Sequence, residues 1–117
     1  MQIKLKEIVN SEKAIKELIK NKFPIKASYR IKRLFDKIQP DLDTFREKNL
    51  ELFKKYGTHD SEKDIYLLDI PENIPTFNKE FSELVDLDVN LDFEKIKIDE
   101  LSETEVEPQY LVSWIFE

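Results

Sequence analysis

The sequence predicts a single α+β domain over residues 1–117, in which an N-terminal segment of three helices packs with a small, mostly antiparallel sheet and a short C-terminal helix. A chain of 117 residues suits one hydrophobic core and is too short for two ordinary ones. Hydrophobic residues make up 40% of the chain and aromatic residues 11%, which is enough apolar surface to offset the entropy lost on folding. Their spacing is helical in the first half and alternating over residues 87–93, which indicates both kinds of element.

The first residues predict a strand followed by a helix. Ile3 and Leu5 alternate with lysines, which is typical of a half-buried strand. Asn10 and Ser11 supply side-chain oxygens that favour a helix start, and the residues after them carry one apolar stripe. Pro24 is expected to end this first helix.

Two further helices are predicted before residue 57. The second covers about 24–39, with proline in its first turn, where a missing N–H costs nothing. Pro40 is expected to end it, because proline removes a helical hydrogen bond. The third covers about 41–56 and ends before Gly57. Short connections between these helices imply antiparallel packing.

The second half predicts mixed elements. Residues 58–63 are polar and are expected to form a loop, and residues 65–70 are a strand candidate. Residues 77–85 have helical apolar spacing, whereas residues 87–93 alternate as a strand with one solvated face. The apolar residues 110–115 are expected to form a last turn that closes the core.

Composition excludes several classes of site. Without cysteine the chain has no disulfide framework, zinc–thiolate site or thiol nucleophile. The longest uncharged apolar run, Tyr110 to Phe116, is far shorter than the roughly 20 residues that cross a bilayer. The first residues lack the apolar region and cleavage site of a secretory signal. We therefore expect a cytoplasmic location and no membrane contact.

The sequence contains no convincing catalytic or metal-binding motif. Oxygen ligands alternate as in a calcium loop at Asp86, Asp88, Asn90 and Asp92. However, Leu91 stands where that loop needs glycine, and Lys97 stands where it needs glutamate. The single histidine, His59, lies in a polar segment with no identifiable partner for catalysis. We therefore expect no enzyme activity, no metal and no cofactor.

Charge is distributed unevenly along the chain. Residues 1–58 carry 15 Lys and Arg against 8 Asp and Glu, whereas residues 59–117 carry 4 against 17. Four cations recur at helical spacing on one face of the second predicted helix, namely Lys26, Arg30, Arg33 and Lys37. Such a stripe favours binding of nucleic acid or an acidic protein. Two alternatives are a solvated helix face and a surface paired with the acidic half of this same chain.

The C-terminal aromatic residues are a second candidate for binding a partner. Tyr110, Trp114 and Phe116 could anchor another protein, because aromatic side chains dominate binding hot spots. The alternative is that Trp114 fills the core, as large aromatic side chains do in small domains. We favour the core for Trp114 and expect Phe116 to be the more exposed.

Three stretches share a pattern of core and turn residues with a known family. The first is FPIKASYRIKRL at residues 23–34, continuing to Lys54-Lys55-Tyr56-Gly57; the second is Phe77-Asn78-Lys79-Glu80-Phe81 with Leu84; the third is Ile96-Lys97-Ile98 with Glu100-Leu101. Together they resemble an uncharacterised family of small proteins, a domain of unknown function, encoded by tailed phages and prophages of Gram-positive bacteria. The resemblance covers most of the chain, but residues 110–116 are more aromatic than the family pattern. It implies a phage origin and transfers no functional residue.

The leading hypothesis is a non-enzymatic phage-type interaction protein. It would bind another protein of the host or the phage, either to modulate a host or defence factor or to assist virion assembly, in the cytoplasm of the bacterial host cell or on the virion. A homo-oligomer built by contact of basic with acidic surfaces is also consistent with the charge distribution. The alternative is a nucleic-acid-binding regulator that uses the basic face of the second helix.

Overall fold

A computed structural model of the chain describes all 117 residues as three α-helices, four short strands and three short 3₁₀-helices. The α-helices are α1 (Leu5–Ile19), α2 (Ile25–Tyr56) and α3 (Ile74–Val85). The strands are β1 (Gln2–Lys4), β2 (Thr58–Asp60), β3 (Ile65–Leu67) and β4 (Asp88–Asn90). The 3₁₀-helices cover Pro71–Asn73, Ile98–Leu101 and Pro108–Tyr110. Mixed helix and sheet therefore follow as predicted, but their arrangement differs in several places.

Helix α2 runs without interruption through Pro40, so the prediction of two separate helices here is wrong. Four side chains are buried along one continuous face, at Ile31, Leu34, Ile38 and Leu42. Their spacing of three or four residues carries the apolar stripe straight past the proline. Packing of this face outweighs the one hydrogen bond that Pro40 removes, and the proline ring itself is exposed. At 32 residues, α2 accounts for most of the 52 Å length of the molecule.

Helix α1 begins at Leu5, six residues before the predicted start. Ser11 therefore does not cap the helix but lies inside it, and its side chain is buried. The Ser11 hydroxyl donates to the Glu7 carbonyl oxygen at 2.6 Å and accepts from Trp114 Nε1–H at 2.7 Å. The chain favours an early start because Ile8 and Leu5 already lie on the buried face that continues through the helix.

The strands form two separate two-stranded sheets. Both are antiparallel as predicted, but the expectation of a single sheet is wrong. Strand β4 is the paired part of the alternating segment 87–93, and it places Val89 opposite Ile3 of β1. Strands β2 and β3 form a hairpin, with His59 opposite Tyr66. The prediction that residues 58–63 form only a loop is therefore wrong, since the polar sequence of β2 gives no strand signal. The strand predicted over residues 65–70 is shorter than expected and ends at Leu67.

The predicted C-terminal α-helix is absent. After the 3₁₀-helix at Pro108–Tyr110 the chain returns to pair with an earlier segment, and the backbone amide of Ile96 donates to the Ile115 carbonyl oxygen at 2.8 Å. The amide of Glu117 in turn donates to the Ile96 carbonyl oxygen at 3.0 Å. The amides of Ile115 and Phe116 both donate to the Val112 carbonyl oxygen at 3.0 Å, which makes a single turn, and pairing with Ile96 then continues the chain in place of a helix.

The core lies between α1, the first half of α2 and the C-terminal segment. It is a cluster of 16 buried residues that includes Ile8 and Ile15 of α1, Ile38 of α2, and Trp114 and Ile115. Phe93 packs edge-on against Trp114, with ring centroids 6.2 Å apart. The C-terminal segment thus completes the core as predicted, although as extended chain and turns.

We predict that Pro40→Ala stabilises the protein. Position 40 is exposed and already helical, so alanine restores the missing backbone hydrogen bond without steric change. Urea unfolding should show an increase in the free energy of unfolding of about 1–3 kcal/mol. A decrease would mean that proline is required for the path of α2 at this point.

We predict a coupling between Ser11 and Trp114. Ser11→Ala leaves the indole N–H buried without an acceptor, whereas Trp114→Phe removes that donor. In a double-mutant cycle the two changes should be coupled by about 1–2 kcal/mol in the free energy of unfolding. Additive effects would show that the hydrogen bond contributes little to stability.

Candidate functional site

The four cations of the predicted stripe do not form one free basic surface. Arg30 donates from Nη1 to Glu100 Oε2 at 2.8 Å and from Nη2 to the Glu94 carbonyl oxygen at 2.7 Å. Its side chain is only 26% exposed. These bonds connect α2 to residues more than 60 positions away in the acidic half, so Arg30 holds the fold together instead of facing solvent.

The other three cations of the stripe have different surroundings. Lys37 donates to the Asp92 carbonyl oxygen, which again lies in the acidic half. Arg33 is exposed and donates to the Tyr29 hydroxyl at 3.0 Å on the same helix face. Lys26 is exposed and has no carboxylate within ion-pair distance. Only Lys26 and Arg33 therefore remain available to a partner.

The stripe ends in a polar depression in which the two signs of charge are nearly balanced. Its lining comprises Lys26, Arg30, Glu94, Lys95, Lys97, Glu100 and Glu117. No apolar side chain contributes to it. Arg30 and Lys37 therefore show that the basic half of the chain pairs in part with the acidic half.

Two of the three C-terminal aromatic residues are inside the protein. Trp114 is 8% exposed and Phe116 only 4%, so the expectation that Phe116 is exposed was wrong. The backbone of Phe116 pairs with that of Ile96, and this pairing places the Phe116 side chain in the core. Tyr110 is half-buried beside α1 and is the only one of the three that keeps part of its ring at the surface. A partner could not reach Trp114 or Phe116 in this conformation.

The residues considered for catalysis or metal binding are not brought together. His59 Nε2 lies 3.0 Å from Asp64 Oδ1, and its ring centroid lies 4.9 Å from that of Tyr66 with the two rings tilted by 39°, on the β2–β3 hairpin. Asp86 and Asp88 both approach Lys4, at 3.8 and 2.9 Å. No cluster of three or more His, Cys, Asp or Glu side chains has the arrangement of a metal site.

The most unusual surface is at the other end of α2. We call residues 43–87 the distal lobe; it comprises the second half of α2, the β2–β3 hairpin and α3. Of the 20 buried residues in the protein only Phe77 lies there. The same lobe holds six of the eleven large apolar side chains that are exposed, namely Leu50, Ile65, Leu67, Ile70, Ile74 and Leu87. The distal lobe therefore has much apolar surface and almost no core.

A short row of phenylalanines holds the distal lobe together. Phe53 contacts Phe77 edge-on with centroids 4.9 Å apart, and Phe77 stacks on Phe81 at 6.0 Å. Phe45 meets Phe81 at 6.3 Å. These contacts seat α3 on α2 and leave an open groove along each side of α2.

The first of these grooves, the helix groove, lies between α2 and α3. It has a volume of about 380 Å³, an apolar floor of Leu52, Leu84 and Leu87, and charged rims of Lys48, Glu51, Lys55, Glu80 and Glu83. Leu87 is 56% exposed. Lys55 approaches Glu80 at 3.4 Å from the opposite rim. The pKa of Glu80 is lowered, chiefly by the nearby Tyr56 side chain and further by the attractive charge of Lys55, so Glu80 is ionised at neutral pH.

The second groove, the hairpin groove, lies between α2 and the β2–β3 hairpin. It has a volume of about 510 Å³ and is lined by Leu50, Phe53, Lys54, Asp64, Ile65 and Tyr66. Residue spacing predicted helix and strand in this region but did not identify the groove. Its sequence gives no signal for it, because the end of burial along α2 at Leu42 is seen only in the structure.

No protein-family model, curated protein or solved structure matched this chain. The resemblance to small phage proteins therefore stays a proposal. No helix in the structure combines the length and apolar character needed to cross a membrane.

We predict that Arg30→Ala and Arg33→Ala differ sharply in stability. Loss of Arg30 removes hydrogen bonds that join α2 to the acidic half, and the free energy of unfolding should fall by about 1–3 kcal/mol. Loss of the exposed Arg33 should change it by no more than about 0.5 kcal/mol. Urea unfolding of the two variants measures this difference, and equal effects would contradict the structural role of Arg30.

Proposed function

We propose that this chain is a non-enzymatic, phage-type interaction protein that binds another protein through its distal lobe. The observation that carries the proposal is the excess of exposed over buried apolar side chains in residues 43–87. One residue there is buried, whereas six large apolar side chains are exposed. Leu50 and Ile65 share one depression and Leu87 lines another. Exposed apolar side chains grouped in this way are typical of an interface. A partner that covered this lobe would supply the core that the lobe lacks.

Burial of these side chains provides the driving force for binding. Covering the exposed half of a leucine or isoleucine is worth about 1 kcal/mol. Leu87 and Leu50, at 56% and 45% exposed, have the most to gain in the distal lobe. Several such residues together can offset the entropy lost when two proteins associate.

The helix groove is the part of the lobe best suited to a partner segment. Its three leucines form an apolar floor, and both rims carry charges of both signs. An amphipathic helix or an extended segment can place apolar side chains on such a floor and polar ones at the rims. The contact between Phe53 and Phe77 seats α3 on α2, and the exposed ion pair between Lys55 and Glu80 adds a weak link across the groove, so the groove is present in the single chain.

The biological setting is part of the proposal and depends on the resemblance to phage proteins. The partner is a host or defence factor that the protein modulates, or a virion protein whose assembly it assists. It would act in the cytoplasm of the bacterial host cell or on the virion. The proposal assigns no catalytic residue, since His59 is exposed and contacts only Asp64 and Tyr66.

Nucleic-acid binding has less support than protein binding. Arg30 and Lys37 direct their charges to acceptors in the acidic half, which leaves Lys26 and Arg33 as the free cations of the stripe. Reversing the charge of Arg30 would also destabilise the fold, so a loss of binding by that variant would not identify a binding residue. Lys26→Glu/Arg33→Glu is therefore the appropriate variant for testing that alternative.

We predict that Leu87→Glu abolishes partner capture. The tagged protein is used to capture proteins from lysates of phage-infected and uninfected Gram-positive cells, and bound proteins are identified by mass spectrometry. A stoichiometric partner retained by the wild type should fall at least about tenfold with Leu87→Glu, because a charge enters the apolar floor. Ile98→Glu is the matched control, since Ile98 is 46% exposed but lies outside the distal lobe.

Capture that Leu87→Glu leaves unchanged would contradict the helix groove as the contact. Equal loss with Ile98→Glu would point to a general effect of surface charge. Nuclease-sensitive complexes that disappear with Lys26→Glu/Arg33→Glu would replace this proposal with the nucleic-acid alternative. Far-ultraviolet circular dichroism of each variant shows whether the helices are retained.

A further inference from the structure

The hairpin groove adjoins an exposed ridge of α2 with a distinctive order of charges. Asp43, Glu47, Leu50 and Lys54 are all exposed. Their spacings of four, three and four residues place them within about 60° of one another around the helix. Acidic residues therefore precede the leucine on this ridge and a basic residue follows it.

This order of charges is complementary to itself when two ridges pack antiparallel. Consider a two-fold axis that runs between the two helices, perpendicular to them and level with the midpoint of residues 50 and 51. Along the helix, Glu47 lies about 5 Å from this level in one direction and Lys54 about 5 Å in the other. Glu47 of each copy then faces Lys54 of the other, and the two Leu50 side chains meet near the axis. Two-fold interfaces require this property, since the same patch must fit itself.

We propose that a second copy of this chain covers the hairpin groove, forming a two-fold dimer through the antiparallel ridges of α2. The interface would bury Leu50 and Phe53 of α2 together with Ile65 and Tyr66 of the hairpin. Ile65 is 43% exposed, and it lines the same depression as Leu50. Each copy therefore contributes both a leucine ridge and an open apolar depression beside it.

The charges of the ridge favour a second copy of this chain over an unrelated protein as the partner that covers the hairpin groove. Neither Glu47 nor Lys54 has an oppositely charged side chain within ion-pair distance in the single chain, whereas other cations of the distal lobe, Lys48 and Lys55, are paired. Antiparallel packing would give both residues a partner at once. This dimer goes beyond the proposed function and leaves the helix groove free, because Leu50 and Leu52 point about 160° apart on α2.

Charge reversal tests the register as well as the existence of the dimer. Glu47→Lys alone places lysine against lysine, and Lys54→Glu alone places glutamate against glutamate, so each single variant should dimerise at least about tenfold more weakly than wild type. The double variant Glu47→Lys/Lys54→Glu restores opposite charges and should recover dimerisation. An equimolar mixture of the two single variants should form heterodimers, because both facing pairs are then attractive. Sedimentation velocity measures each association, and native mass spectrometry identifies the mixed species.

A matched pair of apolar changes tests the leucine contact. Leu50→Glu should weaken dimerisation at least about tenfold, whereas Ile25→Glu should not affect it. Ile25 is 85% exposed and is the first residue of the same helix, far from the ridge. Both sites are exposed, so neither substitution should disturb folding.

Three results would overturn the proposal. The first is a wild-type protein that stays monomeric at several hundred micromolar, a concentration at which a weak interface is still detected. The second is a dimer that Leu50→Glu leaves intact. The third is a mixture of the single variants that forms no heterodimer. None of these results bears on capture through Leu87, which tests the proposed function separately.

Discussion

The fold depends on burial of the C-terminal segment against α1 and α2. Trp114, Ile115 and Phe116 supply three of the core's buried side chains, and the Trp114 indole N–H is satisfied only by the hydroxyl of Ser11. That hydroxyl has its own acceptor in the Glu7 carbonyl, so a buried polar chain is fully hydrogen-bonded. Without this segment the inner faces of α1 and α2 would be open to water, and a core of this size could not form.

Helix α2 joins two regions with opposite properties. Its first half contributes Ile31, Leu34 and Ile38 to a dense core, and its second half supports a lobe in which little is buried. Two of the basic residues on the first half, Arg30 and Lys37, are occupied by the acidic half of the chain. Most of the exposed large apolar side chains lie instead on the distal lobe, so the charge asymmetry of the sequence did not point to the proposed contact surface.

Sequence patterns predicted those features that local periodicity determines. The helical face containing Ile31 and Leu34 and the antiparallel pairing of the alternating segment near Val89 both followed from residue spacing. Pro40 misled the prediction because a local rule for ending helices was outweighed by packing along the whole of α2. The β2–β3 hairpin is local, but its polar first strand has no apolar alternation to indicate it. The grooves of the distal lobe depend on contacts between segments distant in sequence, which periodicity does not encode.

Placement of the C-terminal segment in the core has a consequence for folding during synthesis. α1 is made first, yet its buried face lacks Trp114 and Ile115 until about a hundred further residues have been added. β1 likewise waits for β4, with which it pairs across more than eighty residues. Contacts so distant in sequence slow folding, and the unfinished chain exposes the apolar faces of α1 and α2 throughout elongation. The core of this protein is therefore completed only when the last of residues 1–117 have been made.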